Sequence, residues 1–346
     1  MALQASAIAD LVTTTQRDLG KLKWTDIASS LQKYIAMPKL LKEKKVSFSD
    51  GGYEIQWNVM VTQNNAAQNV GLFAEDNTNI GDVMKTASIP WRHTVSSYGY
   101  DVREPKMNSG AARIVDLIKT RRVEAMYGMA ERMETDFWGK PTDSTDTTTP
   151  FGLKYWIVMG NTTPGFSGGD PSGFSAGAAG LASATYTRWQ NYCGGYTSVT
   201  KPDLIAKWRK ASTFTDFTPP TEVPQYASDS QYGYYTNYAV IGALETLLES
   251  QNDNLGNDVA SKDGHAMFRK VAVTWAPKLE DNSNNPIYGI DWSNFRPVFI
   301  KDTYMKESEP IRDPGAHNVY NIFTDCSYNW QCLNRRTNFV LATATF

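Results

Sequence analysis

Three features of the sequence predict an α+β fold. A helical apolar period runs from Asn108 to Gly139, a two-residue alternation occupies Tyr53 to Val61, and strand-like runs dominate the chain after Val271. In the first of these, Ile114, Leu117/Ile118, Ala125, Met129, Met133 and Phe137 recur at three-and-four spacing and draw one stripe down a helix. Asn108 or Ser109 caps its first amides, and Gly139 followed by Pro141 stops it. Roughly thirty residues at about 1.5 Å each give a rod of about 45 Å. Its other face is charged, through Asp116, Lys119, Arg121, Arg122, Glu124, Arg132 and Asp136, and Arg132 and Asp136 stand at supportive i,i+4 spacing.

The bulk numbers narrow the function. With 346 residues the chain can bury a sizeable core in two or three subdomains. Its formal net charge of −2 argues against a protein whose main work is neutralising phosphates. Three cysteines, Cys193, Cys326 and Cys332, are too few for a disulfide framework and suit a reducing compartment. The sequence shows no basic leader with an apolar core and no run of membrane-spanning length, so a soluble protein made inside the cell is expected. The Asn161-Thr162-Thr163 sequon is read as chance.

Taken in order, residues 1–45 form a helical arm with little core of its own. Ile8, Leu11 and Val12 make one apolar patch, and Ile27, Leu31, Tyr34 and Ile35 a second. Short helices of this kind are marginal unless they dock on something. From Val46 the period changes. Tyr53, Ile55, Trp57, Val59 and Val61 alternate with polar neighbours, and alternation returns at Trp91, His93 and Val95 and at Tyr98, Tyr100 and Val102. The simplest arrangement is a long β-hairpin with an irregular tip that leads into the long helix. A two-stranded ribbon is marginal in water, so its large apolar side chains need a covering surface, either the chain's own body or an adjacent copy.

After Gly139, PTDSTDTTTP reads as a polar linker and Phe151–Met159 as a buried run. GNTTPGFSGGDPSGFSAGAAG is loop by composition. Helices are expected from Pro202 to Phe214 and from Tyr235 to Ser250, joined by a Pro- and Tyr-rich connection. Strands are expected at Val271–Trp275, Ile287–Asp291, Phe295–Ile300, Val319–Phe323 and Phe339–Ala344, with a turn-rich excursion, KESEPIRDPGAHN, between the third and fourth.

This order of elements resembles the major capsid proteins of tailed bacteriophages, with their Hong Kong 97-type fold, over nearly the whole chain. The resemblance implies an N-terminal arm at 1–45 and an extended loop at 46–103. It implies a peripheral domain at 104–150 and 292–333 around a spine helix at 108–139, and an axial domain at 151–291 and 334–346. The ending CLNRRTNFVLATATF is similar to the family's closing segment. By the same resemblance the chain is expected to be a homo-oligomer, forming pentamers and hexamers of an icosahedral head that encloses double-stranded DNA by proximity. Its expected location is the virion capsid, after assembly in the host bacterial cytoplasm. Separate scaffolding, portal and decoration proteins are the further partners implied, with no membrane and no cofactor. The subunit-interface residues expected are Tyr53, Ile55, Trp57 and Trp91 in the hairpin and Ile27, Leu31 and Tyr34 in the arm. The alternative within the same fold is an encapsulin-type nanocompartment, and the alternative of another class is a hydrolase or carbohydrate-binding enzyme.

No catalytic or metal site is expected. Gly165-Phe166-Ser167-Gly168-Gly169 matches the G-x-S-x-G nucleophile elbow, with His265 and His317 downstream. A true elbow joins a strand to a helix, and both flanks here read as loop. Cys326, Cys332 and His317 fit no closed zinc site. Asp253, Asn254, Asn257 and Asp258 lack the calcium-loop register. Arg335-Arg336 and Arg121-Arg122 are read as solvated or ion-paired, or as facing packaged DNA.

Overall fold

The computed structural model describes residues 34–38, 46–62, 69, 71–72, 83–107, 117–216, 232–249 and 266–346. Most of the predicted arm, including Ile27 and Leu31, lies outside these residues. So do the helix caps Asn108 and Ser109, the hairpin tip, His265 and the 253–258 turn.

The strands in chain order are β1 (Ser47–Ser49), β2 (Glu54–Met60), β3 (Met84–Pro90), β4 (Arg92–Asp101), β5 (Gly165–Gly168), β6 (Asn191–Gly195), β7 (Tyr232–Thr236), β8 (Met267–Phe268), β9 (Val271–Trp275), β10 (Ile287–Asp291), β11 (Phe295–Ile300), β12 (Lys306–Glu307), β13 (Ile311–Arg312), β14 (Val319–Cys332) and β15 (Phe339–Ala342). The fold is α+β. Among the described residues the strands form one seven-stranded sheet in the order β5-β6-β15-β10-β7-β9-β8 and one six-stranded sheet built on β14. The two-stranded ribbon β2-β3 stands apart from both.

β15 lies inside the seven-stranded sheet, parallel to β6 and antiparallel to β10. Every residue of β6, β10 and β15 is buried, so these strands carry no alternation. β14 is the long member of the other sheet. Its first ten residues pair with β4, from Val319 opposite Asp101 to Tyr328 opposite Arg92. Its other edge takes β13, β12 and β11 in turn.

The spine helix is described from Leu117 to Trp138. Met129, Met133 and Phe137 are buried as the stripe requires. The charged face is not uniformly solvated. Asp136 is buried and joined to Arg132 at 3.1 Å, because the helix end is enclosed by the body on more than one side. Phe137 stacks on Trp292 at 5.5 Å and meets Phe295 and Trp330 edge-on, so the last helical turn is seated where both sheets converge. Gly152 is needed at this seat. A Cβ there would collide with the backbone carbonyls of Asp136, Phe137 and Gly139.

The hairpin differs from the sequence expectation. Its return strand is β3, in register from Glu54–Pro90 to Met60–Met84. The alternating stretch at 92–101 belongs instead to the six-stranded sheet. The inward positions of β3 are Lys85, Ala87 and Ile89, too small and mixed to raise a strong period-two signal. The connection before the Tyr238–Glu249 helix holds β7 where a loop was expected. The Gly-rich 160–180 segment likewise holds the edge strand β5.

Candidate functional site

The residues expected at subunit contacts fall on the hairpin and on the arm segment. The base of the hairpin is fixed to its own body. Ser88 donates its amide to the Ala179 carbonyl at 3.1 Å, and the Ala179 amide donates to the Tyr155 hydroxyl at 2.8 Å. Asn329, fully buried on β14, donates Nδ2 to the Pro90 carbonyl at 2.7 Å and accepts from the Phe151 amide at 2.8 Å. One asparagine thus ties hairpin, linker and sheet together.

The predicted interface residues fall into distinct groups. Ile55 is 6% exposed and belongs to the main core with Ala87 and Ile89. Within this chain Ile55 is covered by its own body. Trp57 is half-buried, its ring 6.1 Å from Trp156 and its Nε1 buried, so it too packs chiefly on its own body. Tyr53 is 93% exposed, beside Gly51 and Gly52, whose φ values of 140° and 117° make the bend between β1 and β2. Trp91 is half-buried and donates Nε1 to the Gly52 carbonyl at 3.0 Å. The outer hairpin face carries Gln56, Asn58 and Thr86, with the cross-strand pair Met60 and Met84 each about half exposed. Tyr34 is half-buried next to the arm segment described below.

Of the buried charged residues, Glu134 and Arg335 stand out. Glu134, 1% exposed on the spine, accepts from the amides of Ile35, Ala36 and Met37 and from Trp138 Nε1. Arg335, fully buried, donates to the carbonyls of Trp156 (2.8 Å), Trp189 (2.9 Å) and Gly169 (2.9 Å) and to Asn191 Oδ1 (3.3 Å). Burial holds its pKa down at about 10, which still leaves it charged at neutral pH. The expectation that Arg335 is solvated or faces DNA is therefore corrected. Its neighbour Arg336 lies over the Phe166 ring at 4.0 Å. Arg121 is bound to Glu104 at 2.8 Å and Arg122 to Glu307 at 2.5 Å, so the two arginine pairs form no common surface. A sequence signal for Glu134 existed in its position beside Met133 and four residues before Trp138, on the edge of the apolar stripe.

The candidate chemical groups do not converge. Ser167 lies on β5 with its hydroxyl 3.2 Å from Cys193 Sγ, while His317 lies against the Asn318 amide at 3.1 Å. Burial raises the Cys326 thiol to about 11 and pushes the Cys332 thiol higher still. Among the described residues no three His, Cys, Asp or Glu side chains are grouped to hold a metal, and no helix is long and apolar enough to cross a membrane.

No family model and no curated protein matches the sequence. Solved structures do match. The chain superimposes on the capsid subunit of cyanophage A-1(L) with a TM-score of 0.65 at 15% identity, covering 94% of this chain and 97% of that one. The chain has the Hong Kong 97-type capsid fold. The same Hong Kong 97-type architecture underlies its match to the holo-SrpI encapsulin complex of Synechococcus elongatus, with a TM-score of 0.53, 10% identity and coverage of 100% and 97%. It also underlies the match to the capsid of the native GTA particle, with a TM-score of 0.51, 12% identity and coverage of 99% and 100%. At these identities the correspondence is one of fold.

Proposed function

We propose that the protein is a shell subunit, the major capsid protein of a tailed bacteriophage. In this reading it self-assembles into the pentamers and hexamers of an icosahedral head that encloses double-stranded DNA. The observation that carries the reading is the end-to-end correspondence with a phage capsid subunit, at 94% of this chain and 97% of that one. Copies join head to tail, a mode of contact that closes into rings. Many modest contacts per subunit then hold a closed shell by multivalency. The peripheral domain in this reading is the six-stranded sheet with the spine, and it includes β4; the axial domain is the seven-stranded sheet. Because Ile55 and Trp57 are turned onto their own body, the hairpin surface offered to a neighbour is Tyr53, Trp91 and the Met60–Met84 pair with its flanking polar residues. The subunit works by packing, with no catalytic residue, and its place is the virion capsid after assembly in the host cytoplasm.

The test is to produce the full chain, alone and with the products of neighbouring phage-like genes, and to image the particles by electron microscopy. Closed shells with five-fold vertices and packaged DNA are expected. Monodisperse monomers under every assembly condition would overturn the proposal. The second reading, a cellular nanocompartment, is favoured by the match to the encapsulin complex. Shells isolated with protein cargo and without DNA would decide for it.

A further inference from the structure

The carboxylate of Glu134 is surrounded by donors, and three of its four come from a segment almost a hundred residues away. Oε1 accepts from the Ile35 amide at 3.0 Å, the Ala36 amide at 3.1 Å and Trp138 Nε1 at 2.9 Å, and Oε2 accepts from the Met37 amide at 2.9 Å. An ionised carboxylate has about four acceptor sites, two on each oxygen, and four donors converge on this one, three sharing Oε1 and one on Oε2. A buried carboxylate lacking such donors is strongly disfavoured, and a run of buried amides lacking an acceptor is disfavoured in turn. Each group therefore needs the other. The side chains of Ile35, Ala36 and Met37 are 5%, 0% and 6% exposed and join the main core, so the peptide is seated by its backbone and by its side chains together. None of residues 34–38 is a strand of either sheet.

We propose that Glu134 is a latch: its carboxylate fixes residues 34–38 of the arm to the spine of the same chain, and this seat opens as a local unit while both sheets stay closed. Local opening of this kind is expected where backbone groups are held by one side chain and not by a sheet ladder. The two oxygens divide the work unequally, which gives the proposal an atomic signature. Glutamine at this position keeps one oxygen for the donors now on Oε1 and turns an NH2 group toward the Met37 amide.

Amide hydrogen exchange, read at single residues on the full-length unassembled chain, tests this. In Glu134→Ala the Ile35, Ala36 and Met37 amides are expected to exchange at least about ten-fold faster, while β10 and β15 amides keep wild-type rates. In Glu134→Gln, the milder change should the alanine variant fail to fold, Met37 is expected to accelerate most and Ile35 and Ala36 least. Unchanged protection of all three amides would overturn the latch, because apolar seating alone would then hold the peptide. Equal acceleration of these amides and the sheet amides would also overturn it, by showing that the seat does not open separately. The consequence for assembly rests on the capsid reading: with residues 34–38 released from the spine, fewer closed shells form. The exchange measurement needs no shell, so an altered exchange pattern in a chain that never assembles would sustain the latch and remove the capsid reading.

Discussion

Glu134 and Arg335 are both buried ions that form no ion pair among the described residues, and each is neutralised by polar groups of the fold, chiefly the backbone. The anion collects three amides from a single remote peptide. The cation collects carbonyls from three separate places, at Trp156, Gly169 and Trp189, together with the Asn191 side chain. Sign decides which backbone group is recruited, and spread decides what is lost on removal. Around Arg335, the loops bordering β5 and β6 converge on one guanidinium whose planar fork offers five donors. Around Glu134, one short segment is held to a helix that is itself fixed by Phe137. The body around Arg335 should therefore fail as a whole, whereas the arm–spine seam should fail alone.

The largest break in this comparison is at the cation. Arg335→Ala leaves several buried carbonyls without a donor and removes a large side chain, so a loss of about 3–5 kcal/mol of unfolding free energy is expected. Chemical denaturation followed by near-ultraviolet circular dichroism measures it. Arg335→Lys supplies three donors from a single point in place of a fork and should recover less than half of that loss. If Arg335→Ala unfolds at the wild-type denaturant midpoint, the four hydrogen bonds are not what binds the loops, and the contrast with Glu134 disappears.

The next effect tests the junction between hairpin and body. Asn329→Ala removes the acceptor for the buried Phe151 amide and the donor to the part-buried Pro90 carbonyl. About 2 kcal/mol of destabilisation is expected, the usual cost of stranding buried backbone groups. Exchange of the β2–β3 amides should rise more than that of β10. Uniform acceleration across both sheets would instead place Asn329 with Arg335 as a support of the whole body.

How much of this was legible in the sequence follows from what each side chain reports. The spine shows because Met129, Met133 and Phe137 share one face and Arg132 a wet one. β2, β10 and β11 were recoverable from their apolar, β-branched and aromatic residues between turn signals. β6, read as NYCGG, is buried at every position and contains two glycines and an asparagine, so neither periodicity nor propensity marks it. β7, read as YGYYT, is hidden inside a tyrosine-rich run. The burial of Arg335 was illegible, and that of Glu134 was marked only by its place on the edge of the apolar stripe, for a different reason. A charged residue in a sequence carries the expectation of water, and only the folded backbone reveals donors or acceptors converging on it. The hairpin was legible as a ribbon, but which chain covers Ile55 is a property of tertiary packing.

Asp136 supplies the smallest and sharpest contrast, because it sits two residues from Glu134 and is served by a side-chain cation in place of backbone amides. Burial raises its carboxyl above the usual aspartate value, and the Arg132 guanidinium at 3.1 Å offsets this only in part. The folded protein therefore holds this proton more tightly than the unfolded chain does. Asp136 favours folding below the usual aspartate range, and that contribution is lost as pH rises through the raised value. An asparagine side chain in its place would imitate the protonated, neutral form, and Arg132, 60% exposed, would lose little by returning to water. Asp136→Asn is thus expected to be more stable than wild type at neutral pH by about 0.5–1 kcal/mol, with the gain vanishing in acid where the wild-type carboxyl is itself neutral. Thermal unfolding of both proteins across this range measures the difference. A destabilised Asp136→Asn protein at neutral pH would mean that the Arg132 pair outweighs desolvation, and that the spine's two buried carboxylates are held equally well.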